Sequence, residues 1–96
     1  MNQKEIIEKL SYYKKKSEYH KKIKQIGLFG SFAKNNSTSK SDVDVFVKLQ
    51  PAEMFTLIGI KNDLEKLFGR KVDIVAIRLK MNKALLNEIK NNGIYA

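Results

Sequence analysis

The chain has 96 residues, which is enough for one small domain, and we expect residues 1–96 to form a single unit. It contains no cysteine and one histidine, which excludes disulfides, thiolate zinc sites, cysteine nucleophiles and histidine clusters. The formal net charge of +9 indicates an anionic partner, such as a nucleotide, a nucleic acid or an acidic protein, unless it reflects composition alone. Because 17 of the 19 cationic residues are lysines rather than arginines, we favour the compositional explanation.

The hydrophobic segments of this chain are short. None reaches the length of a membrane span, and the initial residues Met-Asn-Gln-Lys-Glu do not resemble a signal peptide. We therefore expect a cytoplasmic protein that does not interact with a membrane.

The first half of the chain predicts one helix and two strands. Residues 3–19 have the apolar spacing of an amphipathic helix. Residues 25–29 predict a buried strand that ends at Gly30-Ser31, followed by a possible helical turn and then a polar loop over residues 34–41. Residues 42–49 alternate as a strand does, with one face formed by Val43, Val45, Val47 and Leu49 and the other by Asp42, Asp44, Phe46 and Lys48.

The second half predicts a helix over residues 53–68, a largely apolar strand over 72–77 and a last helix over 81–90. The apolar stripe of the first of these helices includes Leu67, and Gly69 is a natural end for it. Ile94 and Tyr95 are expected to pack back on the core.

This order of elements predicts an α+β fold, a two-layer α/β arrangement with a small mixed sheet and helices mainly on one face. The helix between the second and third strands is a crossover connection, so these two strands should be parallel. The short loop between the first two strands can join antiparallel neighbours.

Three aspartates form the candidate chemistry. Asp42 and Asp44 are two residues apart on a strand, so both carboxylates leave the same face, and their mutual repulsion calls for a compensating cation. Asp73 lies on the third strand, which should be next to the second. Carboxylate oxygens suit magnesium, which also keeps substrate phosphates among its ligands.

A candidate phosphate-binding turn precedes these carboxylates. Gly30 allows a phosphate to approach the backbone, and Ser31 adds N–H and hydroxyl donors at the start of a helical turn. A phosphate-binding turn beside a carboxylate pair is the arrangement that metal-assisted phosphoryl or nucleotidyl transfer needs.

Three segments resemble a known family: Leu28-Phe29-Gly30-Ser31-Phe32-Ala33-Lys34, Ser41-Asp42-Val43-Asp44-Val45-Phe46-Val47 and Lys71-Val72-Asp73-Ile74-Val75. They are similar to the minimal nucleotidyltransferases of the DNA polymerase β superfamily. The resemblance implies an αβαβαβα core and magnesium-dependent transfer of a nucleoside monophosphate, with one or two ions and ATP as the substrate. By position it implies that Asp42, Asp44 and Asp73 are catalytic and bind metal. It implies nucleotide-binding roles for Gly30, Ser31, Lys34 and Ser41, although Lys34-Asn35 replaces the usual Arg-Gly.

The resemblance also implies a partner. Such minimal enzymes are antitoxins paired with a HEPN-domain ribonuclease, a type VII-like system in which AMP is transferred to a tyrosine of the toxin. Two alternatives stay open: a catalytically weak or inactive module that neutralises its partner by contact, and a nucleic-acid-binding domain that uses its lysine-rich segment. We regard nucleic acid as the less favoured partner, and a homo-oligomer is possible.

Overall fold

The computed structural model describes residues 1–78 and 80–96. In chain order the elements are α1 (Gln3–Lys16), β1 (Ile23–Phe29), α2 (Gly30–Ala33), β2 (Val43–Leu49), α3 (Met54–Phe68), β3 (Val72–Ala76), α4 (Lys83–Asn92) and β4 (Ile94–Tyr95). The predicted order of the main elements is confirmed, and the helical turn after the first strand forms as α2. None of the helices in these residues has both the length and the hydrophobicity needed to cross a membrane.

The strands form one mixed sheet in the order β3-β2-β1-β4. β1 runs antiparallel to β2, and β2 runs parallel to β3, as the crossover through α3 predicts. The last residues do more than pack on the core. Ile94 and Tyr95 form β4, which pairs with β1 in antiparallel register, and the Ala96 N–H donates to the Ile26 carbonyl oxygen at 2.9 Å.

Both faces of the sheet are covered, because its strands carry apolar residues on both sides. Helices α1, α2 and α3 contribute to a larger core that includes the buried face of β2, formed by Val43, Val45 and Val47. Helix α4 lies on the opposite face, where Ile89 packs with Phe29 and Phe46. The prediction of helices mainly on one face is therefore confirmed, with α4 as the helix on the other side.

Several element boundaries differ from the sequence prediction by one or two residues. The sequence leaves the end of the first helix open between residues 16 and 23, and α1 ends at Lys16, because Ser17 takes an extended conformation while its N–H bonds to the Tyr13 carbonyl oxygen. The first strand begins at Ile23 instead of residue 25. α4 begins at Lys83 instead of residue 81, because the Asn82 side chain accepts hydrogen bonds from two N–H groups of the first turn and so caps the helix.

The apolar stripe of α3 is confirmed except at one position. Ile60, Leu64 and Phe68 are buried, whereas Leu67 was predicted to face inward and is 38% exposed. The first half of α3 also exposes large apolar side chains, since Phe55 is 88% exposed and Met54 69% exposed. These two residues leave an apolar surface open at the start of α3.

Candidate active site

Asp44 is at the centre of the candidate site. It lies on β2, at the end of the sheet where β2 is flanked by β1 and β3. Its backbone pairs with Phe29 of β1 on one side and with Asp73 of β3 on the other. Partners in neighbouring strands project their side chains to the same face, so Asp44 and Asp73 share one face of the sheet. The prediction that Asp73 lies beside the second strand is thus confirmed.

Gly30 brings the candidate phosphate-binding turn against Asp44. Its φ of 70° lies in the left-handed region, which glycine adopts without strain. A Cβ atom at this position would collide with the Asp44 carboxylate oxygen Oδ2. Glycine therefore serves two requirements here: the backbone turns from β1 into α2, and the turn approaches the carboxylate closely.

Helix α2 begins at Gly30, so its first N–H groups have no acceptors within the helix. Ser31 is half-buried in this first turn, and its carbonyl oxygen accepts a hydrogen bond from the Asn36 N–H at 2.8 Å. The main chain of the turn is thus held in place, at the end of the sheet that carries Asp44. Its first N–H groups can bind an anion such as a phosphate oxygen.

The electrostatics of the site depend on three like charges. Burial raises the pKa of Asp44 from 3.8 to about 6, and repulsion from Asp73 and then from Asp42 adds to the shift. Asp42 lies just before β2, and its carboxylate is 3.9 Å from the ammonium group of Lys71, a loose pair that is largely exposed. A cation bound between the carboxylates would relieve this repulsion, and their hard oxygen donors fit magnesium.

The carboxylates share a face but are not gathered into a complete metal cluster. In the part of the chain that the structure describes, residues 1–78 and 80–96, no three histidine, cysteine, aspartate or glutamate side chains form a group that could hold a metal ion. Magnesium commonly takes one or two carboxylates and completes its shell with water and substrate phosphates. The donor set therefore fits an ion that arrives with its nucleotide.

Lys34, a nucleotide-binding candidate, follows directly after α2 and is engaged by α4. Its ammonium group lies 2.9 Å from a carboxylate oxygen of Glu88, and this contact lowers the pKa of Glu88. Asn35 then takes a left-handed conformation with φ 58°, which asparagine adopts more readily than most residues other than glycine. A triphosphate that binds Lys34 must compete with Glu88 for it.

Ser41, the other nucleotide-binding candidate, shapes the loop before Asp42. Its hydroxyl accepts a hydrogen bond from the Thr38 N–H at 2.8 Å, and its own N–H donates to the Thr38 carbonyl oxygen at 3.1 Å. Its hydroxyl is 3.4 Å from that of Thr38. These contacts hold the Ser41 hydroxyl within the loop before Asp42.

One residue near the site was missed by the sequence reasoning. Arg70 donates a hydrogen bond from Nη1 to the Ser41 carbonyl oxygen at 3.1 Å, and its guanidinium carbon is 5.3 Å from the centre of the Phe32 ring. The available signal was weak: an arginine directly after the glycine that ends α3 and three residues before Asp73.

Comparison with known proteins gives a consistent result. The family model described as "Polymerase beta, Nucleotidyltransferase" matches residues 5–95. MJ0126 of Methanocaldococcus jannaschii, a candidate protein adenylyltransferase by its name, is 34% identical over 92 residues, which cover 95% of this chain and 94% of that protein. The protein adenylyltransferase MntA of Thermococcus cleftensis is 29% identical over 89 residues, covering 88% and 90% of the two chains.

Solved structures show the same fold. A toxin-antitoxin structure with AMP-PNP has a TM-score of 0.73 at 22% identity and covers 99% of this chain and 72% of the matched chain. A complex of the tri-AMPylated Shewanella oneidensis HEPN toxin with its MNT antitoxin has a TM-score of 0.68 at 20% identity and covers 97% and 70%. Together with the match over residues 5–95, the fold and its sequence relatives establish that this chain belongs to the polymerase β nucleotidyltransferase family.

Proposed function

We propose that this chain is a magnesium-dependent nucleotidyltransferase that transfers AMP from ATP to a hydroxyl of a HEPN-domain toxin, with a tyrosine as the acceptor. The observation that carries the proposal is the register of the sheet, which sets Asp44 beside Asp73 and directly against Gly30. This arrangement combines an anion-binding turn with carboxylates in one place. The names of the relatives, protein adenylyltransferases and a HEPN toxin complex, support the acceptor class.

The chain's own residues have distinct roles in this reaction. The N–H groups at Gly30 and Ser31 bind and orient the triphosphate, and Lys34 and Ser41 add contacts at the same end of the site. Asp42 and Asp44 hold one magnesium ion or two, which leaves Asp73 as the base for the acceptor hydroxyl. When bound, magnesium supplies charge neutralisation for the triphosphate and for the pyrophosphate that leaves.

The transfer itself is a displacement at phosphorus. The acceptor oxygen forms a bond to the α-phosphorus of ATP, the bond from that phosphorus to the bridging oxygen breaks, and pyrophosphate departs with the electron pair. The proton of the acceptor hydroxyl passes to the Asp73 carboxylate. Asp73 is exposed whereas its neighbour Asp44 is half-buried, so Asp73 is the one of the two that is open to an incoming substrate. Because the transferred AMP silences the toxin, this chain acts as the antitoxin of a type VII-like system.

A protein acceptor also suits the surface of this chain. The apolar side chains of Met54 and Phe55 at the start of α3 are largely exposed, and exposed apolar surface is typical of protein interaction sites. A nucleic-acid acceptor would instead favour a surface of arginine and exposed aromatic residues over basic loops, and 17 of the 19 cationic residues of this chain are lysines.

The decisive test uses ATP labelled at the α-phosphorus, Mg²⁺ and a purified HEPN-domain protein. Wild-type protein should transfer the label to the HEPN protein, and Asp44→Asn should lower the transfer by at least about a hundredfold, since it removes a metal ligand. Asp63→Asn is the matched control. Asp63 is the remaining aspartate of the chain, it lies on α3, and its carboxylate accepts a hydrogen bond from Tyr13.

The outcomes separate the proposal from the inactive binding module. A module that acts by contact alone would protect cells or silence the toxin without transferring label, and Asp44→Asn would leave that effect intact. Transfer by Asp44→Asn at the wild-type rate would contradict the metal-binding role of this aspartate.

A further inference from the structure

Arg70 links two segments of the site, the loop before Asp42 and helix α2. It lies between the end of α3 at Gly69 and the start of β3, and its guanidinium reaches across to two other segments. One is the Ser41 carbonyl group, which belongs to the peptide bond leading into Asp42. The other is the ring of Phe32, which is buried and directly follows Ser31.

The loop over residues 35–41 has few other connections to the rest of the fold. All of its residues except Ser41 are exposed, and its remaining hydrogen bonds either stay within the loop or join it to α2, which it follows directly. Within residues 1–78 and 80–96, the bond from Arg70 is the hydrogen bond that joins this loop to a distant part of the chain. Beyond the loop, the Val43 N–H donates to the Lys71 carbonyl oxygen at 3.0 Å, and this bond ties the start of β2 to β3. Loss of the Arg70 bond would leave residues 35–41 held by short-range contacts.

The guanidinium suits this position for chemical reasons. It is planar, so one face can lie over an aromatic ring while its edge donates hydrogen bonds. Lysine has the charge but neither the plane nor the fixed directions of the donors. The chain has two arginines, and the other, Arg78, is exposed after β3.

We propose that Arg70 is a positioning residue that holds the loop before the metal-binding Asp42 against the triphosphate-binding helix α2. Through Phe32 it holds the helix that begins with Gly30 and Ser31, and through Ser41 it holds the peptide before Asp42. Arg70 itself does not contact the reacting atoms. The inference rests on the proposed function, because it assigns these two segments to nucleotide and metal.

The test uses the full chain and two measurements. The first is amide hydrogen exchange in the absence of nucleotide, which is independent of any activity. In Arg70→Met the amides of Ser41 and Val43 should exchange about tenfold faster, while amides in the middle of β1 keep their wild-type rates. The second is binding of AMP-PNP with Mg²⁺, which should weaken by about tenfold, since small misplacements of binding groups reduce affinity and rate strongly.

Control variants make the result specific. Arg78→Met removes the same charge at the other end of β3 and should leave both measurements unchanged. Arg70→Lys retains the charge and should behave like Arg70→Met, because the plane of the guanidinium is what the contact with Phe32 uses. Phe32→Leu removes the aromatic ring that the guanidinium contacts but keeps a buried apolar side chain. The protein should remain folded, and exchange of the Ser41 amide should be faster than in the wild type.

The outcomes are distinguishable from those for the proposed function. Wild-type exchange at Ser41 and Val43 in Arg70→Met, or full retention of both properties by Arg70→Lys, overturns the positioning role. Failure of the wild-type chain to bind AMP-PNP overturns the proposed function, and the exchange rates then still decide whether Arg70 holds the loop.

Discussion

Replacing Asp44 with asparagine should stabilise the metal-free protein while it abolishes transfer. The pKa of Asp44 is raised from 3.8 to about 6 by burial and by repulsion from Asp73 and Asp42. A carboxyl whose pKa is higher in the folded state binds its proton more tightly there. The stabilisation that this carboxyl contributes is therefore fully present below about pH 4 and is lost as the pH rises through 6.

The size of the effect follows from this shift. Two pKa units correspond to roughly 3 kcal/mol at most, and since part of the carboxyl is open to solvent we expect ~1–2 kcal/mol at pH 8. Asparagine has nearly the same shape and no charge, so it avoids both the loss of hydration and the repulsion. For a chain of this size, 1 kcal/mol changes the melting temperature by roughly 4–8 °C.

Urea unfolding in the presence of a chelator, at pH values from 4 to 8, measures the difference directly. The two proteins should have similar stability at pH 4, and Asp44→Asn should be the more stable at pH 8. Glu8→Gln, on the exposed surface of α1, provides the baseline for the same change in net charge. The electrostatic reasoning would be refuted if Asp44→Asn were less stable than wild type at pH 8. It would also be refuted if the difference in the free energy of unfolding between the two proteins were the same at pH 4 and pH 8.

Three further substitutions test other parts of the site. Gly30→Ala should lower the free energy of unfolding by at least ~1 kcal/mol and prevent AMP-PNP binding, because φ at this position is left-handed and a Cβ would collide with Asp44. Urea unfolding measures the first effect and calorimetry the second, and wild-type values for both would contradict the prediction. Glu88→Gln should lower the KM for ATP by roughly two- to fivefold, because Lys34 is then free of an exposed ion pair worth up to ~1 kcal/mol. An increased KM in steady-state kinetics would count against Lys34 as a triphosphate contact. Asp73→Asn should reduce kcat far more than it changes KM, and steady-state kinetics showing the reverse would remove Asp73 from the chemical step.

Much of the fold could be predicted because its signals are local and periodic. The alternation of Val43, Val45 and Val47 with Asp44 and Phe46 identifies β2 and tells which face carries the carboxylate. The helix between β2 and β3 then predicts parallel strands, and this puts Asp73 on a strand next to β2. The register that pairs Asp73 with Asp44 comes from the structure.

Other features depend on contacts between distant parts of the chain. β4 has two residues, too few for a periodic pattern, and it exists because Ile94 and Tyr95 meet the free edge of β1. The ion pair of Lys34 with Glu88 and the contact of Arg70 with Phe32 form only when the fold brings their elements together. The position of Leu67 was predicted wrongly because helical spacing alone does not tell how wide the buried face of α3 is: Phe68 is buried and the adjacent Leu67 is exposed.

The position of the label in ATP tests the central claim most directly. With wild-type protein, Mg²⁺ and a purified HEPN-domain protein, ATP labelled at the α-phosphorus should mark the HEPN protein, and ATP labelled at the γ-phosphorus should not. This is the result expected when the acceptor oxygen attacks the α-phosphorus and pyrophosphate leaves. Label from the γ-phosphorus on the HEPN protein, or no label from either position with the three aspartates intact, would contradict nucleotidyl transfer by this site.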